Sequence, residues 1–210
     1  ADPVYSMAAA EPSDARREVA KTGVADGTKY FVIAVREWKS SDPQFLEKLA
    51  AFSEHVSRKF GIVPLILPMQ GMRDRGIAER LSARLDMKHG IIRVKYTPEM
   101  LLGIVGNSEF VLGMRLHTLI YAAKTGTPVI ALSYDPKVSA MMKESGQKYE
   151  MPVESIDVNM LCGYADEIME RHGEISRELL AVGERLCSLA ERNEDVAVGL
   201  LRGASDEPRL

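Results

Sequence analysis

Between residues 109 and 137 the apolar positions change period twice. Phe110 to Gly113 is a short unbroken apolar run, the pattern of a strand buried on both faces, and Pro128 to Ser133 is a second run rich in Val and Ile. Between them Leu116, Leu119, Ile120 and Ala123 recur at the spacing of one helical face, and Thr125-Gly126-Thr127-Pro128 ends that helix with a C-terminal glycine and a proline. The pattern predicts a βαβ unit. Such a crossover is right-handed and its strands are parallel, so Met114-Arg115 and Tyr134-Asp135 both emerge at the carboxyl edge of the sheet, where open α/β folds bind ligands.

The rest of the chain repeats the alternation. Strands are predicted at Tyr30 to Val35, Leu65 to Leu67 and Gly90 to Val94, which makes five with the two already placed. Helices are predicted between them. One opens at Ser41-Asp42-Pro43, with Asp42 as N-cap, and runs to about Phe60 on a stripe of Phe45, Leu49, Phe52 and Val56. A second is lined by Ile77, Leu81 and Leu85. A third starts at Thr97-Pro98-Glu99 and buries Met100, Leu101, Ile104 and Val105. A short helix carries Val138, Met141 and Met142. Beyond it, Val158, Leu161, Ala165, Ile168 and Met169 form one amphipathic stripe, and Ile175, Leu179, Val182, Leu186 and Leu189 form another. The fold class this implies is α/β, a doubly wound parallel sheet of the Rossmann-like kind. Residues 1–28 read as a linker-like opening segment in which DARREVAKTGV is either a short helix or a surface loop. The Rossmann-like domain then spans 29–157, C-terminal helices span 158–203, and 204–210 form a disordered tail.

Composition narrows the function classes. With 46% hydrophobic and 27% charged residues among 210, and a net charge of -3, the chain has no general attraction to nucleic acid or anionic membrane. No apolar run reaches the roughly 18 residues of a membrane span, and no signal peptide opens the sequence. Cys162 and Cys187 lie in helical segments without metal-ligand spacing and read as reduced thiols of a cytoplasmic protein. The first residues, ADPVYSMAAAEPS, include no initiator methionine before position 7 and resemble the middle of a polypeptide, so the expectation is a carboxyl-terminal part of a longer protein.

Candidate chemistry concentrates at the first turn of the central βαβ unit. Arg115 and His117 lie where the free N–H groups and the positive end of a helix face the ligand crevice, and neither falls on the apolar face. An arginine fork suits carboxylate or phosphate, and a histidine exchanges protons near neutral pH. Arg36 leaves the first strand at the same edge, and Lys137 follows the last. Asp135 reads as a helix cap. Lys137 is equally consistent with solvent or an anion. Gln70 and Asp74, in the loop after the second strand, are within reach of the crevice but read as ordinary loop residues; His55 reads as structural or exposed, His89 as a residue of the amino edge without function, and His172-Gly173 as the joint between the last two helices. GIVGNSEFVLG has its glycines at a helix end before a strand, the reverse of a dinucleotide fingerprint, and no Walker A loop, HExxH or zinc-ligand set occurs, so no metal ligand is predicted.

The block GMRLHTLIYAAKTGTPVIALSYDPKV resembles the polysaccharide pyruvyl transferases of the CsaB-like type, which carry an RLH motif, a short helix, a glycine-proline turn and SYDPK or a near variant. Here these are Arg115-Leu116-His117 and Ser133 to Lys137. The resemblance extends through Tyr96-Thr97-Pro98-Glu99, Val35-Arg36-Glu37, Pro68-Met69-Gln70 and the opening Ala1-Asp2-Pro3, roughly residues 1 to 150. It implies the C-terminal half of a GT-B-like, two-domain fold with the site in the cleft between halves, and transfer of the enolpyruvyl unit of phosphoenolpyruvate to two hydroxyls of a sugar, releasing phosphate. His117 is then the catalytic acid, with Arg36, Arg115 and Lys137 binding substrate. The scheme requires no metal or redox cofactor. Its implied partners are phosphoenolpyruvate, a sugar acceptor with a lipid carrier among the options, and the absent amino-terminal half. Two other readings share these residues: a GT-B sugar-nucleotide glycosyltransferase or epimerase half, and a non-catalytic anion-binding domain.

Overall fold

The computed structural model describes residues 1–38 and 44–205, with side chains described through 192. Six parallel strands form one open sheet: β1 (Tyr30–Ala34), β2 (Val63–Ile66), β3 (Gly90–Ile91), β4 (Val111–Gly113), β5 (Val129–Ser133) and β6 (Glu150–Pro152). Their order is β3-β2-β1-β4-β5-β6, so the chain winds outward one way from β1, returns, and winds out the other way from β4. The expected doubly wound sheet is therefore present, with one strand more than the five predicted. The extra strand is β6, sequence Glu-Met-Pro, whose ladder rests on bonds such as Ala131 N–H to the Tyr149 carbonyl at 2.9 Å.

Helices cover both faces. α2 (Phe45–Phe60), α3 (Gly71–Ser82) and α7 (Val158–Glu170) form one layer; α1 (Pro12–Ala20), α4 (Pro98–Gly106), α5 (Leu116–Thr125) and α8 (His172–Ser205) form the other, with α6 (Pro136–Glu144) beside α5. The Asp42 cap predicted for α2 lies outside the described residues; the helix begins at Phe45 and ends at Gly61 in the left-handed conformation. Thr97, Asp135 and Asp157 cap α4, α6 and α7 by accepting backbone N–H bonds. Phe31 stacks on Phe110 at 4.9 Å and meets Phe52 edge-on at 6.0 Å, which locks β1, β4 and α2 together at the centre.

Two boundaries differ from the sequence reading. The opening segment is folded onto the domain: α1 packs on α4, a 3-10 turn at Pro3–Ser6 packs on α5 and α8, and Val4, Tyr5, Ala15, Val19 and Val24 are buried in the common core. Its apolar residues are too sparse to show a period, yet each meets an exposed helical stripe. The C-terminal helices likewise continue the same core, α7 against α2 and α8 against α5. Along α8 the buried face runs Ile175, Leu179, Leu186 and Ala190, with Leu189 left exposed, because four-residue steps follow the helix pitch better than the predicted last step of three. Gly126 permits this docking. It has φ of 72°, and a Cβ there would sit 2.5 Å from Leu180 Cγ of α8. α8 runs through residues 204 and 205; the rest of the predicted tail lies outside the described residues.

Candidate active site

The sheet reverses direction between β1 and β4, so the crevice at their carboxyl ends is the ligand position this topology dictates. Ala34 pairs with Gly113 across the two strands, and Arg36 and Arg115 each follow by two residues. Both arginines thus leave the sheet at one level on either side of the switch. Their side chains then cross the crevice in opposite directions.

Arg115 reaches over the end of β1 to α3. Its Nε donates to Asp74 Oδ2 at 3.0 Å and its Nη2 to Asp74 Oδ1, a bidentate pair with only 9% and 1% of the two side chains exposed. The Gln70 amide donates to the same carboxylate at 2.9 Å. The fork expected on the substrate is held instead by Asp74. Arg115 is the N-cap residue of α5 without a capping bond, so the pair fastens the β4–α5 turn to α3 and orients the first turn of α5. Asp74 reads as an ordinary loop residue in the sequence, although it lies at one end of a helical stripe with Ile77, Ala78 and Leu81, where an acid must have a partner.

Arg36 reaches the other way. Because β4 lies between β1 and β5, the bond from Arg36 Nη1 to the Tyr134 hydroxyl, 3.1 Å, spans the end of β4 where α5 begins. The guanidinium carbon lies 5.0 Å from the Tyr134 ring centre and 5.9 Å from that of Trp38. Trp38 in turn donates from Nε1 to Glu154 Oε1 at 3.0 Å, beyond β6. Trp38 and Glu154 do not stand out in the sequence as site residues, Tyr134 does so only by its place at the carboxyl edge, and the strand order brings the three together.

His117 is exposed on the first turn of α5. It has no hydrogen-bonding partner among the described residues and only an edge-on contact with Tyr121 at 6.4 Å. It is therefore not a cap. Lys137 is exposed on the first turn of α6, its backbone N–H bonded to Asp135 and its ammonium unpaired among the described residues. Two helix N-termini, one guanidinium, one ammonium and one imidazole thus face the same edge, an arrangement suited to a small dianion. A pocket of about 730 Å³ opens beside the crevice at the ends of β2 and β3, bordered by Gln70, Met72, Ile92, Val94 and Tyr96; none of Arg36, Arg115, His117 and Lys137 lines it.

The other histidines make structural contacts, and His55 has a partner that its sequence neighbourhood does not show. His55 pairs with Asp166 on α7 at 2.9 Å, His89 donates to the Met87 carbonyl, and His172 to the Glu109 carbonyl. Both cysteines are free, and burial pushes the Cys162 thiol pKa up. Among the described residues no group of metal-ligating side chains occurs, and no helix is long and apolar enough to cross a membrane.

The family model for polysaccharide pyruvyl transferase matches residues 1–136, which include the whole βαβ unit of β4, α5 and β5. The chain belongs to this family. No curated protein matches it. Among solved structures it is similar to the C-terminal domain of the group 1 glycosyl transferase LpcC from Francisella tularensis, at 12% identity and a TM-score of 0.56 over 90% of this chain and 97% of that one. It is also similar to EarP, which glycosylates an arginine of translation elongation factor EF-P, at 14% identity and 0.58 over 92% and 67%. A third is MnaA of S. aureus solved with UDP, at 11% and 0.54 over 84% and 47%. These likenesses establish the fold, that of the C-terminal half of a GT-B architecture. This pyruvyl transferase family member spans about half the length of several of the structures it matches.

Proposed function

We propose that this chain is the donor-binding half of a pyruvyl transferase that uses phosphoenolpyruvate and forms a cyclic ketal on a sugar of a cell-surface polysaccharide. The observation that carries the reading is the Arg36 span across the start of α5, which brings a guanidinium over the helix end bearing His117 and beside the one bearing Lys137. Phosphoenolpyruvate carries a carboxylate and, through an ester oxygen, a phosphate on the same carbon, C2. Arg36 and Lys137 are the cations for them, with the helix N-terminus supplying N–H donors. Arg115, held by Asp74, positions the turn.

The reaction needs a proton on the methylene carbon, C3, to make C2 electrophilic, and His117 is the acid this reading assigns to deliver it. One acceptor hydroxyl adds at C2. The second hydroxyl then displaces phosphate from the same carbon, so two C–O bonds form, one C–O bond to phosphate breaks, and C3 becomes a methyl group. The two hydroxyl protons balance the one placed on C3 and the one leaving with phosphate. The exposed, unpaired imidazole of His117 is free to reload from solvent between turnovers.

A longer protein containing this chain, assayed for phosphate release from phosphoenolpyruvate with a panel of sugar acceptors, tests the proposal. Acceptor-dependent release is expected. Turnover of a nucleotide sugar with phosphoenolpyruvate left intact would refute it.

A further inference from the structure

The edge cluster beyond Arg36 has a use that donor binding does not absorb. Trp38 follows β1 and Glu154 follows β6, so the bond from the indole Nε1 to Glu154 bridges the carboxyl ends of β4 and β5. Tyr134 stands between them, its ring centre 4.8 Å from that of Trp38 and tilted by 55°. Trp38 and Tyr134 are half-buried, not sealed in the core, and Glu154 is exposed. The second carboxylate oxygen of Glu154 has no hydrogen-bond or ion-pair partner among the described residues. The indole is thus pinned by its edge, which fixes the direction of its faces.

We propose that Trp38, Tyr134 and Glu154 form the acceptor-sugar subsite. The inference rests on the donor reading for its place in the reaction and on separate residues for its geometry. A pyranose presents an apolar C–H face and a rim of hydroxyls. Two inclined aromatic rings offer a corner for the C–H face, and a carboxylate already oriented by one donor offers its free oxygen to hydroxyls. Arg36 joins the two subsites, because its guanidinium lies against both rings; Nε donates to the Glu37 carbonyl at 3.3 Å and Nη1 to the Tyr134 hydroxyl, which leaves Nη2 for the donor. The same contact sets the order of binding: an anion on Arg36 draws its charge from the aromatic faces and frees them for the sugar, so phosphoenolpyruvate strengthens sugar binding. A purely structural latch between Trp38 and Glu154 would show neither a sugar contact nor this coupling.

Saturation-transfer difference NMR on the 210-residue chain, with methyl β-D-glucoside and methyl β-D-galactoside as probes and with or without phosphoenolpyruvate, tests the assignment. Transfer to ring C–H protons is expected, at least tenfold weaker in Trp38→Leu, restored in large part in Trp38→Phe, and reduced in Glu154→Gln, a surface change that leaves the fold intact. Phosphoenolpyruvate affinity, measured separately by calorimetry, stays within about threefold in Glu154→Gln. Sugar transfer that persists unchanged in both Trp38→Leu and Glu154→Gln overturns the assignment, as does transfer lost only on Val94→Asp, which would put the sugar in the β2–β3 pocket. No transfer from either probe at 50-fold excess, roughly the reach of millimolar sites by this method, overturns it too. Sugar binding that depends on Trp38 while phosphoenolpyruvate fails to bind would count against the donor reading and for the subsite.

Discussion

Replacing Asp74 tests whether the site is fastened as the structure indicates. Asp74→Ala removes the carboxylate from a pair whose side chains are 1% and 9% exposed, and leaves the Arg115 guanidinium buried without its counter-charge. Breaking a buried pair in this way costs about 3–5 kcal/mol. The Gln70 amide also loses its acceptor, adding on the order of 1 kcal/mol. In a chain of this size each kcal/mol lowers the melting temperature by about 2–4 °C, so the combined loss of about 4–6 kcal/mol should lower it by about 8–24 °C. Asp74→Asn retains an acceptor for Gln70 and loses less. The informative partner is the double variant Asp74→Ala with Arg115→Met, which removes both charges. Its stability should exceed that of Asp74→Ala alone, with a coupling energy of at least about 2 kcal/mol. Urea titration followed by far-UV circular dichroism measures all three. A single-variant loss under about 1 kcal/mol, or strict additivity in the double variant, would show that the pair does not fasten the β4–α5 turn to α3.

Three further outcomes rest on other contacts. Gly126→Ala forces a side chain into a left-handed position facing Leu180 and should cost at least about 1–3 kcal/mol, whereas Gly163→Ala, in α7 with open space around it, should gain up to about 1 kcal/mol; equal effects in thermal melts would contradict the α5–α8 packing. His117→Asn should leave stability within about 0.5 kcal/mol, because the side chain is exposed and unbonded, while lowering turnover in the longer protein by about 10²–10⁴-fold with donor affinity little changed; an unfolded variant or an unchanged rate removes His117 from the chemistry. For Asp166, burial raises the pKa but hydrogen bonds from Lys59 and His55 outweigh it and hold it below the ordinary aspartate range. Its contribution is therefore present above the unfolded aspartate pKa of about 3.9 and is lost as pH falls through the lower folded value, so the stability gap between wild type and Asp166→Asn should close in acid; a gap independent of pH would be the contrary result.

The parts of the fold that repeat a period were legible in the sequence. The stripe of α5, its glycine stop and the runs of β4 and β5 needed only neighbours within ten residues, and β5 came out within one residue of the predicted run. β6 was not legible. Glu150-Met151-Pro152 has no apolar run, and it is a strand only because β5 offers it an edge at the right register. The opening segment failed for a related reason: Val4 and Tyr5 lie in a turn that packs on α5 and α8, more than 100 residues away along the chain, where the Lys124 ammonium donates to the Tyr5 carbonyl at 2.5 Å. At the site, the positions of Arg36, Arg115, His117 and Lys137 on the carboxyl edge followed from strand and helix order. Where Arg115 spends its charge did not, because Asp74 is 41 residues distant and only the β2-β1-β4 order brings it within reach.

The proposed donor site is open to direct measurement because Trp38 is the sole tryptophan of the chain and its indole lies beside Arg36. Titration of the 210-residue protein with phosphoenolpyruvate, followed by tryptophan fluorescence, should give a saturable change as the anion takes Arg36 from the aromatic faces. Arg36→Met and Lys137→Met should each weaken binding by at least tenfold, about 1.4 kcal/mol. A flat titration up to millimolar phosphoenolpyruvate, or a binding curve untouched by either substitution, would contradict the placement of the donor at this edge.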